Sequence, residues 1–295
     1  MSIMLENELL RLEIQEPGAL YRGARFDWTG QITQITFKGK HTFCTEEKTE
    51  PAEINLKGRG LYNEFGIESA LGYDECPIGE RFPKIGVGWL KKESPQPYHF
   101  YYDYNVLPFE FSFEPFENSI NFACYAKPLL GYGFILKKRL YIEENTFVIE
   151  YVLENIGEKL IYTNEYVHNF LAINRQLLDE HYQLKFPFRL NPIRLREVVN
   201  PGLVTQFGWH EIEWQSTPKS DIFFSSLFSG KLNEPVWELR HDEARVRIRE
   251  EVDFPIQKLN LWGNGHVVSP EVFFEISVLP GESIKWQRRY AVDEF

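Results

Sequence analysis

The stretch RLYIEENTFVIEYVLENIGEKLIYTNEYVHNF, residues 139–170, decides the fold that this sequence predicts. Apolar residues occupy every second position in its middle part: Phe147, Ile149, Tyr151 and Leu153. Residues two apart point to the same face of a strand, so this pattern indicates a strand with one buried face. Turn-forming residues bound it at Glu143-Glu144-Asn145 and Asn155-Ile156-Gly157. Short strands separated by such turns are typical of antiparallel sheets.

The same alternation recurs through most of the chain, at 109–113, 120–126, 246–248 and 272–278. No repeat of fixed period is visible, and no Gly-, Ser- or Pro-rich linker divides the sequence. We therefore predict an all-β protein, a large antiparallel β-sandwich with very little helix, formed by residues 1–295 as a single domain.

Two segments depart from the alternation. Residues 57–90 contain seven glycines among acidic, basic and aromatic residues. Their length and lack of periodicity predict a long, ordered, functional loop rather than a pair of strands. Residues 175–184 have a spacing that allows two or three helical turns.

Composition excludes several functions. The formal net charge of −11 disfavours nucleic acid as a partner. No apolar run is long enough for a membrane helix, and the N-terminus lacks the features of a signal peptide. The odd number of well-separated cysteines, three in all, indicates neither disulfides nor a zinc site, so we expect a reducing cytoplasm. Aromatic residues make up 16% of the chain and could supply flat faces for sugar rings. The sequence carries no signal for an oligomeric state.

Four segments together resemble the galactose mutarotase-like (aldose 1-epimerase) superfamily. They are MLENELLRLEIQEPGALYRGARF (4–26), GRGLYNEFGI with FPKIGVGWL (58–67 and 82–90), residues 139–170, and LNLWGNGHVVSPEVFFEISVLPGESIKWQRRYAV (259–292). Their order and spacing cover nearly the whole chain. The context EYVHNFLAIN around the histidine differs from that of the well-studied members, so the resemblance is to a divergent branch.

The resemblance implies an isomerase that interconverts the anomers of a free sugar or sugar derivative by opening its ring. This reaction needs a general acid and a general base, and it requires no metal or cofactor. The resemblance aligns His168 with the catalytic histidine, and we expect it to be the acid. In the strand pattern His168 shares a face with Asn164, Tyr166 and Phe170, as a sugar-facing surface would require.

Glu271 is the expected base, because it follows Pro270 at the entrance to a strand. Glu275, in the middle of that strand, is its rival. For both glutamates, a solvated charge at a sheet edge is the non-functional interpretation.

Five further residues are expected to bind substrate: Arg59, Asp74, Glu75, Lys84 and Trp262. The resemblance places Arg59 and Lys84 near positions that hold sugar hydroxyls or a phosphate. Asp74 and Glu75 could accept hydrogen bonds from hydroxyls, and Trp262 could stack on a sugar ring. Alternatively, Arg59, Asp74 and Lys84 pair with one another and only hold the loop. A non-catalytic carbohydrate-binding protein on the same scaffold remains the alternative function.

Overall fold

A computed structural model describes residues 2–48 and 57–295 of the chain. These residues form 23 β-strands and three short 3-10 turns. The first twelve strands are β1 (Ser2–Glu6), β2 (Leu10–Gln15), β3 (Gln31–Phe37), β4 (His41–Thr42), β5 (Gly60–Phe65), β6 (Arg81–Lys84), β7 (Gly88–Lys91), β8 (Val106–Pro108), β9 (Glu110–Pro115), β10 (Ser119–Leu129), β11 (Tyr132–Glu143) and β12 (Thr146–Asn155). The others are β13 (Ile161–Phe170), β14 (Tyr182–Lys185), β15 (Val198–Val199), β16 (Thr205–Phe207), β17 (Glu211–Trp214), β18 (Ile222–Gly230), β19 (Trp237–His241), β20 (Val246–Val252), β21 (Ile256–Asn264), β22 (Val267–Val278) and β23 (Ser283–Glu294). The turns span Ile173–Arg175, Pro192–Arg194 and Pro201–Leu203.

The described strands make two ten-stranded antiparallel sheets and a three-stranded one. The first sheet runs β1-β2-β3-β5-β13-β22-β21-β18-β15, with β4 paired to β3. The second runs β16-β17-β14-β19-β20-β23-β12-β11-β10-β9, and the small sheet runs β6-β7-β8. One core of buried apolar side chains takes members from both large sheets, among them Leu12, Ile35, Leu136 and Ile248. The predicted antiparallel β-sandwich is thus confirmed.

The two faces of the first sheet have different roles. Val167 of β13 belongs to the core, and the buried carboxylate of Glu165 reaches Arg288 of the second sheet. His168, one residue along the strand, points to the opposite, outer face. A second cluster of buried aromatic residues, including Tyr62, Phe82, Tyr98 and Phe170, packs the small sheet and its flanking loops onto this outer face. The outer face of the first sheet is therefore only partly covered.

The prediction of a long loop over residues 57–90 is wrong in part. Strand β5 lies in this segment, and β6 and β7 form a hairpin. Strand β5 is buried on both faces, so it lacks the alternation that reveals a one-sided strand. Gly66 and Gly86, at φ +62° and +77°, further interrupt the pattern where the chain turns.

The helix expected over residues 175–184 is also wrong. The chain makes one 3-10 turn at Ile173–Arg175 and then forms strand β14. Asn174 and Arg175 have φ values of +53° and +57°, which a right-handed helix cannot continue through.

Two findings bear on the expectations from composition. Cys44, Cys76 and Cys124 are all free and buried. Over residues 2–48 and 57–295, helices long and apolar enough to cross a membrane are absent.

Candidate active site

Strand register brings His168 and Glu271 together. Glu165 of β13 pairs with Phe274 of β22, and Leu171, just past the end of β13, bridges to Val268. His168 and Glu271 lie midway between these two pairs, so they face each other across neighbouring antiparallel strands. Nε2 of His168 is 3.3 Å from Oε1 of Glu271, and both side chains are more than nine-tenths buried.

The strand pairing around these residues is irregular, because Pro270 has no N–H to donate. Asn169 supplies the missing contacts. Its backbone N–H donates to Oγ of Ser269 at 3.0 Å, and its side-chain Nδ2 donates to the carbonyl oxygen of Pro270 at 2.6 Å. Asn169 therefore fixes the segment that carries Glu271 relative to the strand that carries His168.

A hollow of about 780 Å³ opens over this pair, on the outer face of the first sheet. Pockets of this size bind small molecules. Aromatic side chains form much of its wall: Trp262, Phe273, Phe223, Tyr98, Phe100 and Tyr101. Polar groups are interspersed among them, including Asn260, Lys258 and Arg25. Flat apolar faces mixed with hydrogen-bonding groups suit a sugar ring.

The electrostatics of the pair differ from the assignment made from sequence. Burial raises the pKa of Glu271 to about 8, and the nearby Arg25 guanidinium only partly opposes this. Burial, assisted by the charge of Arg25, holds the pKa of His168 well below its usual 6.5. Both shifts favour the uncharged form of each group, a protonated carboxyl beside a neutral imidazole. The sequence assignment had placed the proton on the imidazole.

Arg25 is the residue that sequence reasoning missed. Its Nε donates to Oε2 of Glu64 at 2.7 Å, and its Nη2 donates to the Tyr166 hydroxyl at 2.9 Å. The rings of Phe26 and Phe100 lie 4.5 and 4.4 Å from its guanidinium carbon. The sequence signal for Arg25 is weak, since the run ALYRGARFDW also contains Arg22 and Asp27 and does not reveal Glu64 as its partner.

The residues predicted to bind substrate lie in different places. Trp262 lines the hollow, and its ring centroid is 5.2 Å from that of His168. Lys84 lies behind the wall, where its Nζ donates to the Tyr98 hydroxyl at 2.9 Å and is 3.3 Å from Oε1 of Glu64. Arg59 is outside the lining of the hollow and pairs with Glu46 at 2.5 Å.

Asp74 and Glu75 line a separate cavity of about 430 Å³ beside residues 66–73. Glu75 accepts a hydrogen bond from the Tyr132 hydroxyl at 2.5 Å and pairs with Lys159 at 2.7 Å. The rival Glu275 is exposed and accepts hydrogen bonds from Tyr162 and Gln257, outside the hollow. Of the two candidate bases, Glu271 is the one that the structure brings to His168.

The described residues contain no group of three or more His, Cys, Asp or Glu side chains arranged to hold a metal ion. The chemistry open to the site from its own side chains is proton transfer. His168 and Glu271 offer one acceptor and one donor side by side in a largely dry wall. Such a pair can take a proton from one oxygen of a ligand and give a proton to another.

Comparisons with known proteins agree with this architecture. No protein-family model matches the chain, and no curated protein matches it in sequence. Several solved structures match along nearly their full length. A candidate aldose 1-epimerase of Escherichia coli K12 has a TM-score of 0.62 at 10% identity, covering 100% of this chain and 99% of its own.

Two further structures give the same result. The Slr1438 protein of Synechocystis sp. PCC 6803 has a TM-score of 0.61 at 14% identity, covering 100% of this chain and 96% of its own. A galactose mutarotase-like protein of Clostridium acetobutylicum has a TM-score of 0.60 at 9% identity, covering 100% and 95%. At such low identity the likeness concerns the fold, and the chain therefore has the galactose mutarotase-like fold that its sequence predicted.

Proposed function

We propose that this protein is an aldose 1-epimerase-like isomerase that interconverts the anomers of a sugar by opening and closing its ring. One observation carries the proposal: an imidazole and a carboxyl group lie 3.3 Å apart in the wall of an aromatic hollow. A structural neighbour described as a candidate aldose 1-epimerase supports it.

In the proposed reaction the enzyme takes one proton from the sugar and gives one proton to it, so the sugar gains and loses none overall. The base removes the proton of the C1 hydroxyl while the acid protonates the ring oxygen. The bond between C1 and the ring oxygen breaks, which leaves an open-chain aldehyde. Rotation about C1–C2 presents the other face of the carbonyl group, and ring closure returns both protons. The hydroxyl and the ring oxygen are bonded to the same carbon, so an acid and a base that lie side by side can reach both.

We assign the roles from the pKa values. Glu271 holds its proton at neutral pH and serves as the acid for ring opening, while neutral His168 serves as the base. On ring closure the two exchange roles. Arg25, next to both groups, opposes a positive charge on His168 and supports a negative charge on Glu271.

The other groups of the hollow orient the sugar. Trp262 offers a ring face, and Asn260 offers both a donor and an acceptor for hydroxyl groups. We further propose that the whole chain acts as one sandwich in a reducing, cytoplasmic compartment, which suits its three free, buried thiols.

The test is anomer exchange, measured by saturation-transfer NMR on equilibrated hexoses above the spontaneous rate. We expect the wild type to accelerate exchange, and His168→Ala and Glu271→Gln to lose at least about 100-fold of that acceleration. The matched controls are His181→Ala, at a half-exposed histidine outside the hollow, and Glu275→Gln, four residues along the same strand from Glu271. Both controls should keep wild-type exchange.

The outcomes separate the two functions considered for this scaffold. Line broadening without exchange would show a carbohydrate-binding protein that lacks the isomerase activity. Full exchange in folded His168→Ala and Glu271→Gln variants would remove the pair from the mechanism. Equal loss in Glu275→Gln would show that strand β22 matters only as a structural element.

A further inference from the structure

A second cavity of about 590 Å³ adjoins the hollow. The two share four lining residues: Glu68, Arg196, Ser226 and Lys258. Its lining is strongly basic, because it contains Arg189, Arg194, Arg196 and Lys258 against one acidic residue, Glu68. This concentration of positive charge stands out in a chain whose formal net charge is −11.

The cations of this basic cavity are only partly neutralised. Lys258 forms an ion pair with Glu68, and Arg189 stacks on the ring of Trp209 at 4.3 Å. Arg194 and Arg196 are exposed, and across the described residues neither guanidinium has a carboxylate partner. The backbone of Arg196 is nevertheless held, since its N–H donates to the carbonyl oxygen of Ser225 in β18. The main chain that carries this arginine is thus anchored at the edge of the sheet that holds His168 and Glu271.

Like charges that line one cavity repel one another, and an anion placed between them removes this repulsion. A guanidinium group also matches the geometry of a carboxylate or a phosphate, to which it can donate two parallel hydrogen bonds. A neutral group of the ligand in this cavity would leave the charges of Arg194 and Arg196 uncompensated.

We propose that the sugar bound in the hollow carries an anionic substituent, a carboxylate or a phosphate ester, which Arg194 and Arg196 bind in the basic cavity. This inference rests on the proposed function, because it takes His168 and Glu271 as the place where C1 lies. The anionic group occupies the side of the sugar that faces Lys258 and Arg196, where the two cavities meet. The positive field there also raises the association rate of anionic ligands.

The experiment compares each of glucose and galactose with its uronic acid and its 6-phosphate. Affinities are measured by titration calorimetry at low and at high salt, and anomer exchange is measured in the same samples. At low salt we expect at least one anionic form to bind about tenfold or more tightly than its neutral parent. This preference should shrink as salt rises, because the arginines are exposed.

The Arg194→Gln/Arg196→Gln double variant should lose the preference for anionic sugars. The single variant Arg194→Gln, at the arginine that lines only the basic cavity, should keep the affinity for the neutral parent. The control is Arg11→Gln/Arg289→Gln, which removes the same charge from two arginines that pair with surface glutamates elsewhere. It should retain the preference. The ratio of uronic acid to 6-phosphate affinity identifies which anionic group the cavity accepts.

Each result separates this inference from the proposed isomerase. Exchange of neutral sugars with no anion preference, or a preference that survives in the double variant, overturns the anionic subsite and leaves the isomerase standing. Arginine-dependent binding of an anionic sugar without exchange supports the subsite and overturns the isomerase. Absence of binding for all six sugars overturns both.

Discussion

The carboxyl group of Glu271 is buried, which disfavours its charged form and makes it suitable as a proton donor near neutral pH. A carboxyl group buried beside an aromatic wall loses its hydration, so the neutral form is favoured and its pKa rises to about 8. His168 is affected in the opposite sense, because burial favours the neutral imidazole. Two groups with opposed pKa shifts in one hollow are the requirement for acid–base catalysis near neutral pH.

The pH dependence of the exchange rate follows from these shifts. Below about pH 8 Glu271 keeps its proton, and above it the acid form is lost. We expect kcat/KM to be level around neutrality and to fall about tenfold per pH unit well above pH 8. On the acid side it should fall only well below pH 6.5, where His168 gains a proton. NMR exchange rates corrected for the spontaneous reaction measure the profile. A rate that keeps rising from pH 8 to 10 would instead show that the carboxylate form is active.

Among single residues, the sequence predicted the two members of the central pair but missed a charged neighbour. His168 was identified because its strand pattern and the family resemblance agree, and Glu271 because it precedes a strand. Arg25 was missed, since its partners Glu64 and Tyr166 lie 39 and 141 residues away along the chain. Asp74 and Glu75 were expected to bind substrate, but the sequence of their glycine-rich segment does not indicate that they line a separate cavity. Whether the seven predicted residues bind or react stays a prediction.

Among the elements, the pair β13 and β22 determines the geometry of the site. The distance between His168 and Glu271 depends on a register that a proline interrupts, and Asn169 bridges the interruption. A single strand pattern predicts which face a residue points to, but the partner strand and its offset depend on contacts far along the chain. For this reason the sequence indicated two glutamates, and only the structure distinguishes them.

Asn169→Ala tests the importance of this bridge. The variant leaves the buried carbonyl of Pro270 unpaired, so we expect a loss of about 1–3 kcal/mol in the free energy of unfolding. A displaced Glu271 should also lower the exchange rate, by about 100-fold. The control is Asn155→Ala, because Asn155 makes an equivalent bond from Nδ2 to the carbonyl of Val278 at the other end of β22. It should lose similar stability and keep its activity, as urea denaturation and NMR exchange can show. Equal activity in both variants would mean that Asn169 is only structural.

Across the whole molecule, the two large sheets are joined by buried charges as well as by apolar packing. Arg288 of the second sheet donates to Glu165 of the first and to Glu250 of its own, each at 2.7 Å. Lys138 similarly donates to Asn63 of β5 at 2.7 Å. Alternation of apolar residues predicted the sandwich, but these buried charged side chains sit at inward positions that a hydrophobic pattern does not identify.

Arg288→Met is expected to destabilise the protein by about 3–5 kcal/mol, because it removes the cation that pairs with two buried carboxylates, Glu165 and Glu250. The neighbouring Arg289→Met is the control. Arg289 is half-exposed and 3.6 Å from Glu143, so its loss should cost only about 0–1 kcal/mol. Guanidinium chloride denaturation of the two variants measures both values. Similar stabilities would show that the interior tolerates the unpaired carboxylates, for instance by protonating them.

The alternation of β13 has a consequence for how this protein could diversify. Val167 and Glu165 hold the sheets together, whereas Tyr166 and His168 face the ligand side. Odd and even positions of this strand thus contact different parts of the molecule. Mutations at the ligand-facing positions can retune what is recognised while the interior stays intact, so a lineage can explore new substrates without first losing its fold.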